Sequence, residues 1–222
     1  LQGFAFALFY SAAAIPFGWL ADRYSRKWII VGGVTFWSLM TAACGLAQSF
    51  WQLFAARLGV GFGEATLGPS VHSIIGDSFE SEQLPIAMSV FGVGVSIGAG
   101  LAFLVGGQVV EFVAAQPPFH LPFVGELEAW HATFMIVGLP GVALAALIAL
   151  VITEPPRSVP AASTEAGKAT LISYTKANTS LAVGLIGDNS LLTAAGFASL
   201  AWAAAFYDRT FGWGPGEAGS AI

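Results

Sequence analysis

The feature that most constrains this chain is a series of long apolar runs separated by polar connections. Six runs cover about residues 1–20, 28–47, 51–75, 87–110, 130–152 and 190–207. The hydrocarbon core of a bilayer is about 30 Å thick, and a helix needs about 20 apolar residues to cross it. Because the runs are continuously apolar rather than alternating, they favour helices over the strands of a barrel. The sequence therefore predicts an all-α, polytopic membrane protein with about six spans.

The composition argues against a water-soluble domain. The chain has 222 residues, of which 56% are hydrophobic and 9% are charged, whereas soluble domains carry about 25% charged residues. So few charges would leave large apolar patches exposed to water. The formal net charge is -5 and the cations form no basic stripe, so nucleic acid is not an expected partner.

The sequence offers little chemistry for catalysis or for cofactor binding. Its three histidines do not have the spacing of metal ligands. It contains no phosphate-binding loop of the G-x-x-x-x-G-K-[ST] kind, so ATP is not expected to drive its activity. We therefore expect no metal, no cofactor and no enzymatic activity.

The cations indicate how the chain is oriented in the membrane. If the helices alternate in direction, six cations fall on one side, which is then cytoplasmic because positive charge accumulates there. The predicted outer side carries Arg209 and the proline-rich connection with Pro117 and Pro118. The cations predicted to be cytoplasmic are Arg23, Arg26, Lys27, Arg157, Lys168 and Lys176.

The connection between the first two runs carries a motif of five residues. Gly18 allows close contact between helices, and the cations Arg23, Arg26 and Lys27 attach the connection to anionic lipid headgroups. Asp22 is a carboxylate at a helix end, where it can bind neighbouring helix ends in one conformation and release them in another. We interpret the motif as a conformational latch.

The third run contains two opposite charges, Arg57 and Glu64. A charge at bilayer depth costs about 3 kcal/mol or more unless it is paired or hydrated. Seven residues are almost two helical turns, so both charges lie on one face, about 10 Å apart along the axis. We predict that Glu64 takes up protons and that Arg57 tunes it, although a static ion pair remains the alternative. Gly59, Gly61 and Gly63 let a neighbouring helix or a substrate approach this helix closely.

Two further local patterns predict helix packing and a helix end. Gly94 and Gly98 in the fourth run form a small-x-x-x-small face on which another helix can pack. Asp188 and Asn189 precede the sixth run, and both residue types favour the N-cap position. The pair is therefore predicted to begin the sixth helix.

Several motifs together identify a family resemblance. The stretch GWLADRYSRK, residues 18–27, resembles the signature loop between helices two and three of the major facilitator superfamily, with Ser25 in place of a glycine. The stretch RLGVGFGEA, which begins at Arg57, resembles the Spinster-like group of that superfamily. The same group is indicated by SIIGDSF, TFMIVGLPG, EPPR and RTFGW, which begin at residues 73, 133, 154 and 209. By this resemblance Asp77 belongs to the conformational latch.

The resemblance implies a major facilitator fold, which is a twelve-helix bundle of two halves that rock about a central site. It assigns residues 1–152 to helices two to six of the N-terminal half. It assigns residues 153–189 to a cytoplasmic linker between the halves, and residues 190–222 to helix seven and the start of helix eight.

The resemblance also implies a function. It indicates proton-coupled secondary transport by alternating access, with an amphipathic lipid such as a lysophospholipid or a sphingoid derivative as substrate. The expected partners are the substrate, protons and membrane lipids, and the protein is expected to be a monomer in the plasma membrane or a bacterial inner membrane. Two alternatives remain open: a major facilitator transporter of a drug, sugar or organic acid, and a non-transporting membrane sensor or scaffold.

Overall fold

The structure is a helical bundle with one short β-hairpin. A computed structural model describes residues 2–117, 119–121, 125–157, 173 and 175–222. The first five helices are α1 (Gln2–Arg23), α2 (Arg26–Cys44), α3 (Phe50–Glu64), α4 (Leu67–Ser78) and α5 (Leu84–Ala114). The hairpin is β1 (Phe119–Leu121) and β2 (Gly125–Leu127), and the later helices are α6 (Ala129–Gly138), α7 (Pro140–Val151), α8 (Thr179–Phe211) and α9 (Pro215–Ala221).

The connection between α1 and α2 is shorter than the sequence indicates. α1 ends at Arg23 and α2 begins at Arg26, so the predicted loop over residues 21–27 is reduced to two residues. Ser25 caps α2, because its Oγ accepts a hydrogen bond from the backbone N–H of Trp28 at 3.4 Å. The motif cations therefore lie on helix ends, in fixed positions relative to the bundle.

Two of the predicted runs are each divided into two helices beside a proline. The third run is divided between α3 and α4 at Ala65 and Thr66, where the Thr66 hydroxyl donates to the Gly63 carbonyl at 2.8 Å. Pro69 has no N–H to donate to the carbonyl of Ala65, so the regular hydrogen-bond ladder cannot continue there. The fifth run is divided between α6 and α7 immediately before Pro140 for the same reason.

The predicted start of the sixth helix is wrong. Asp188 and Asn189 lie in the interior of α8, which already begins at Thr179 and continues to Phe211. The residues before the pair are largely apolar and compatible with a helix, and an exposed Asp is tolerated within a helix at small cost. The second part of the predicted linker, from Thr179 onward, is therefore helical.

A β-hairpin occupies part of the connection between α5 and α6, for which the sequence indicated only a proline-rich loop. β1 and β2 are antiparallel, with Phe119 opposite Leu127 and Leu121 opposite Gly125. Pro118 from that prediction lies outside the described residues, as does Lys168 in the linker.

The core of the bundle is built around α2. This helix packs against α3, α4, α6 and α7, and its residues Ile30 and Val34 are buried with Ala145 of α7. α2 and α3 approach closely at Gly33 and Gly63, where a Cβ on Gly63 would lie 3.0 Å from the Gly33 carbonyl oxygen. Larger residues at this crossing would force the two helices apart.

Four helical segments of the described residues are long and apolar enough to cross a bilayer. They are Arg26–Cys44, Leu84–Ala114, Ala129–Val151 and Ser190–Phe211. The first and third predicted runs are not among them, and the third is divided between two shorter helices. Many large apolar side chains of α5, α7 and α8 are exposed, among them Val90, Leu150 and Leu191. Such surfaces suit a lipid environment or further helices.

Candidate functional site

One group of charges lies at the end of the bundle where α1 meets α2. Arg26 is only 1% exposed, and its guanidinium group forms ion pairs with Asp77 at the end of α4 and with Glu154 after α7. It also donates to the Ser73 hydroxyl at 3.0 Å and to the Pro155 carbonyl at 3.0 Å. We call this set of five residues the Arg26 cluster. It joins α2, α4 and the segment after α7.

Glu154 is held in its ionised form within the cluster. Partial burial opposes ionisation, but hydrogen bonds from the Ser25 hydroxyl, the Arg26 backbone N–H at 2.9 Å and the Arg26 guanidinium group outweigh it. Together with the positive charge of Arg26, these bonds lower the pKa of Glu154 below its ordinary value. The carboxylate therefore balances the buried cation over the neutral pH range.

A second arginine at this end stabilises the C-terminus of α1. The Arg157 guanidinium group donates to the carbonyl of Ala21 at 2.8 Å and also to the carbonyls of Asp22 and Tyr24. These carbonyls have no partner within the helix, and a cation there also suits the helix dipole. Arg157 thereby attaches the segment after α7 to α1.

The predicted latch residues differ in how they are held. Arg26 and Asp77 form an ion pair with each other. The Asp22 side chain is exposed and has no partner among the described residues. The guanidinium group of Arg23 lies 4.2 Å from the Trp19 ring centroid, and the Lys27 ammonium group lies 5.6 Å from the ring of the neighbouring tryptophan.

The sequence did not reveal four of the groups that hold this end together. Ser25, Ser73, Glu154 and Arg157 lie on three separate segments, and only the fold brings them near Arg26 or the end of α1. The EPPR stretch gave a partial signal, because it places an acid and a base at the polar end of an apolar run. Pairing with a particular partner requires tertiary structure. A Cβ on Gly18 would make an ordinary van der Waals contact, 3.9 Å from the side chain of Pro69 on α4.

The other group of charges lies on α3, within the bundle. The Arg57 guanidinium group lies over the ring of Phe134 on α6, 4.9 Å from the ring centroid, which is within cation–π range. Arg57 is partly exposed, and the Cys44 thiol at the end of α2 is within electrostatic range of it.

Glu64 is the last residue of α3, and its side chain is exposed. The Tyr10 hydroxyl on α1 lies within electrostatic range of its carboxylate. Arg57 and Glu64 form no ion pair with each other in the described part of the chain, and their aromatic neighbours belong to two different helices. The arrangement leaves a guanidinium group and a carboxylate on the same helix, each with capacity for another partner.

Neighbouring helices pack closely against the glycines of α3. A Cβ on Gly61 would lie 3.0 Å from the Phe6 ring on α1, and one on Gly59 would lie 2.7 Å from the Met40 side chain on α2. Gly94 and Gly98 on α5 differ, because no described atom lies within 4 Å of a Cβ placed on either. Packing on that α5 face therefore remains a prediction.

The end of the bundle opposite the Arg26 cluster contains a contact that the sequence did not indicate. α9 packs against the last turns of α5, and a Cβ on Gly107 would lie 2.4 Å from the Pro215 carbonyl oxygen. A Cβ on Gly219 would lie 2.4 Å from the Phe103 carbonyl oxygen. We call this contact the α5–α9 seam. It brings the backbones of the two predicted halves together at one end of the bundle.

Long apolar helices, a cation-rich helix junction and two charges within the third apolar run define a class of polytopic membrane protein. The family model of the Major Facilitator Superfamily matches residues 1–222, and the chain belongs to this family. The protein is a multi-pass integral membrane protein with the helical fold of that family, as the sequence predicted.

The more particular similarity is to Spinster proteins, which confirms the resemblance seen in the motifs. The chain is 34% identical to protein spinster homolog 1 of Bos taurus over 150 residues, which is 67% of this chain and 26% of that protein. It is 29% identical to the sphingosine-1-phosphate transporter SPNS2 of Danio rerio over 150 residues, covering 67% of this chain and 27% of that protein. An MFS-type efflux pump of Mycolicibacterium smegmatis is 26% identical over 219 residues, covering 99% of this chain and 47% of the pump.

Solved structures show the same similarity. A bacterial homolog of the human lysosomal transporter Spinster, in an inward-facing and unoccupied conformation, matches with a TM-score of 0.75 and 30% identity, over 98% of this chain and 48% of that one. Its inward-facing, occupied form matches with a TM-score of 0.71. This chain therefore spans about a quarter to a half of the length of the proteins it matches.

Proposed function

We propose that the protein carrying this chain is a secondary active transporter that couples protons to an amphipathic, lipid-like substrate by alternating access. The observation that carries the proposal is that the two charged side chains of α3 form no ion pair with each other in the described residues. Arg57 and Glu64 lie within a membrane bundle without pairing with each other in the described part of the chain. A charge kept at this depth without a fixed partner indicates an ion or substrate pathway.

The two charges suit different tasks. Glu64 is exposed on the bundle, and inside a bilayer its carboxylate would avoid the cost of a charge in a low dielectric by taking up a proton. Arg57 stays charged and uses one face for the Phe134 ring, so the N–H groups at its edge can donate to an anionic headgroup. A proton and a headgroup could therefore bind close together and influence each other.

The relatives support the class of substrate. A protein similar over two thirds of this chain is named as a transporter of sphingosine-1-phosphate, which has a phosphate headgroup and an apolar tail. An arginine is well suited to a phosphate, and the apolar walls of the bundle suit a tail. The headgroup would bind at Arg57.

A conformational cycle needs contacts that break and reform at opposite ends of the bundle. The α5–α9 seam, which joins the two predicted halves, is a candidate for one of these contacts, whereas the Arg26 cluster holds α2, α4 and the segment after α7 together. The seam is closed in this structure, with α9 against α5, and the two Spinster homolog structures that match are inward-facing. We infer that the seam side is the outer side, in agreement with the positive charge at the opposite end.

A second function has a specific observation in its favour. The efflux pump of Mycolicibacterium smegmatis aligns with 99% of this chain, so export of another small molecule is the main alternative. A sensor or scaffold without transport would have no need for two unpaired charges on α3.

Transport itself is tested in proteoliposomes that contain the full-length protein. We expect labelled sphingosine-1-phosphate or lysophosphatidylcholine to exchange against unlabelled lipid in counterflow, and to accumulate when a proton gradient is imposed. Exchange of a labelled cationic drug but of neither lipid would favour the efflux alternative. The absence of exchange for lipids and drugs would contradict transport.

A further inference from the structure

Arg57 and Glu64 raise a physical question that the proposed function does not answer. Opposite charges about 10 Å apart along one helix face can meet if both side chains lean together. An arginine paired with Glu64 would favour the ionised carboxylate and so oppose proton uptake. Something must hold the guanidinium group away from Glu64.

The geometry points to Phe134 as the residue that positions Arg57. We propose that the Phe134 ring holds the guanidinium group on the α6 side of the bundle by a cation–π contact, which keeps Glu64 free to exchange its proton and leaves the edge of Arg57 free for an anionic headgroup. This inference rests on the proposed role of Glu64 for its functional consequence, but the position of Arg57 stands by itself. The contact distance of 4.9 Å to the ring centroid is the observation that carries it.

The Phe134 ring is itself held by its neighbours. The Trp130 ring lies at 88° to it with 6.2 Å between centroids, and Trp130 stacks on the His131 ring at 3.5 Å. The backbone N–H of Glu128 donates to His131 Nδ1 at 3.2 Å, so the ring proton lies on Nε2, which donates to the Ala47 carbonyl at 3.2 Å. His131 is 7% exposed. The aromatic group is therefore attached to the turn after α2.

Glu64 faces a different helix. Tyr10 of α1 is within electrostatic range of its carboxylate, while Phe6, one turn earlier, packs on Gly61 of α3. A substrate headgroup between the α1 side and the α6 side would meet the carboxylate and the guanidinium group separately.

Several other ionisable groups of the bundle are engaged in the described structure. His72 of α4 bonds the Gly68 carbonyl through Nδ1 at 2.7 Å, and its ring meets the Phe91 ring edge-on. Arg26 and Asp77 pair with each other in the Arg26 cluster, and Cys44 lies near Arg57. The ionisable groups on the helices packed against α3 are Tyr10, Asp22 and Arg23 of α1 and Arg26, Lys27 and Cys44 of α2. Of the cations, Arg23, Arg26 and Lys27 lie at the α1–α2 junction, and Arg57 is the one on the same helix as Glu64.

The position of Arg57 can be measured directly in the full-length protein in nanodiscs, without substrate. In spectra of the protein with isotope-labelled arginine, the Arg57 side-chain resonance is assigned by its loss in Arg57→Gln. We expect an upfield ring-current shift for this resonance, which Phe134→Leu abolishes and Phe134→Tyr preserves. Phe112→Leu, the same change at an exposed phenylalanine of α5, should leave it unchanged. An unchanged Arg57 resonance in Phe134→Leu would overturn the proposal.

The consequence for Glu64 is measured by infrared titration of its carboxyl band, assigned by the loss of that band in Glu64→Gln. Once Phe134→Leu frees Arg57, we expect the pH midpoint of the band to fall by about 1 unit. Phe134→Leu combined with Arg57→Gln should show the midpoint of Arg57→Gln alone, because no guanidinium group remains to move. Phe134→Met, which also lacks a ring, is the second variant should Phe134→Leu unfold.

Failure of the Phe134 inference and failure of the proposed proton coupling would give different results. A midpoint that stays constant while the melting temperature falls would mean that Phe134 only fills space, and would overturn the inference. A Glu64 band that never titrates would contradict the proposed proton coupling, while the resonance of Arg57 would still decide whether Phe134 positions it.

Discussion

Two arginines of this bundle, Arg26 and Arg57, are held in opposite ways. Arg26 is buried at 1% exposure and bound by two carboxylates, a hydroxyl and backbone carbonyls. Arg57 is partly exposed and rests on an aromatic ring, with no carboxylate partner among the described residues. A satisfied charge fixes the structure around it, whereas an unsatisfied charge at depth has capacity left for a ligand. We infer that α3 carries the site and that the Arg26 cluster fixes the helices around its cytoplasmic end.

The largest expected effect on stability follows from removing Arg26. Arg26→Gln leaves Asp77 and Glu154 without their cation, and we expect a loss of about 3 kcal/mol of unfolding free energy. The measurement is thermal unfolding of the purified full-length protein in detergent.

Lys27→Gln is the matched control, since Lys27 makes only a contact with the neighbouring Trp28 ring in the described structure. Its cost should stay within about 0.5 kcal/mol. Equal losses of unfolding free energy in Arg26→Gln and Lys27→Gln would contradict the view that the ion pairs of Arg26 stabilise the bundle.

The next effect concerns the α5–α9 seam, which is the proposed moving contact. Gly107→Ala puts a methyl group 2.4 Å from the Pro215 carbonyl oxygen, and overpacking of about 1–3 kcal/mol corresponds to roughly a tenfold shift toward the open seam. In a variant lacking Cys44, a cysteine in place of the buried Ala218 should be labelled about tenfold faster when Gly107→Ala is added.

Gly106→Ala provides the comparison, because a Cβ there meets no described atom within 4 Å. Its labelling rate should match that of the parent protein. If both substitutions accelerate labelling equally, the effect is on α5 as a whole, and the seam is not the moving contact.

Acid should weaken the Arg26 cluster through Glu154. The pKa of Glu154 is lowered by folding, so its contribution to stability is complete above the ordinary glutamate value, about 4.3, and is lost as the pH falls through the lower folded pKa. Melting temperatures should therefore fall on acidification below that value. The fall should be shallower in Glu154→Gln, and an equally steep fall in this variant would assign the acid sensitivity to other groups.

Asp22 should give the smallest effect on stability. Its carboxylate is exposed and has no partner among the described residues, so Asp22→Asn should change the unfolding free energy by less than about 0.5 kcal/mol. We still expect transport to slow and labelling of cysteines in the cytoplasmic cavity to rise, because a latch acts in one conformation only. Unchanged labelling would mean that Asp22 only balances local charge.

The sequence predicted the parts of the fold that depend on local apolar content. Continuous runs such as 87–110 identified spans, because a bilayer selects length and hydrophobicity without reference to other helices. The breaks before Pro69 and Pro140 were not predicted, although each proline is visible, because a proline is tolerated in a membrane helix when neighbours satisfy the freed carbonyls. The N-cap assigned to Asp188 failed since that residue type is tolerated inside a long helix.

The residues of the candidate site also separate into those that the sequence indicates and those that only the fold identifies. Arg57 and Glu64 were visible in the sequence because a charge within an apolar run is unusual. Their neighbours Phe134 and Tyr10 were not, since aromatic residues are common in every span and only packing selects these two. Glu154 could not be matched to Arg26 from sequence alone, because 128 positions separate them.

The central claim is that Glu64 couples protons to the substrate, and Glu64→Gln in proteoliposomes tests it most directly. The variant mimics the protonated carboxyl group, so it should fold and still exchange labelled lipid in counterflow, which needs no net proton movement. It should lose accumulation driven by an imposed proton gradient, with wild-type protein in matched vesicles as the reference. Full gradient-driven accumulation by Glu64→Gln, or a loss of melting temperature with coupling intact, would contradict the account.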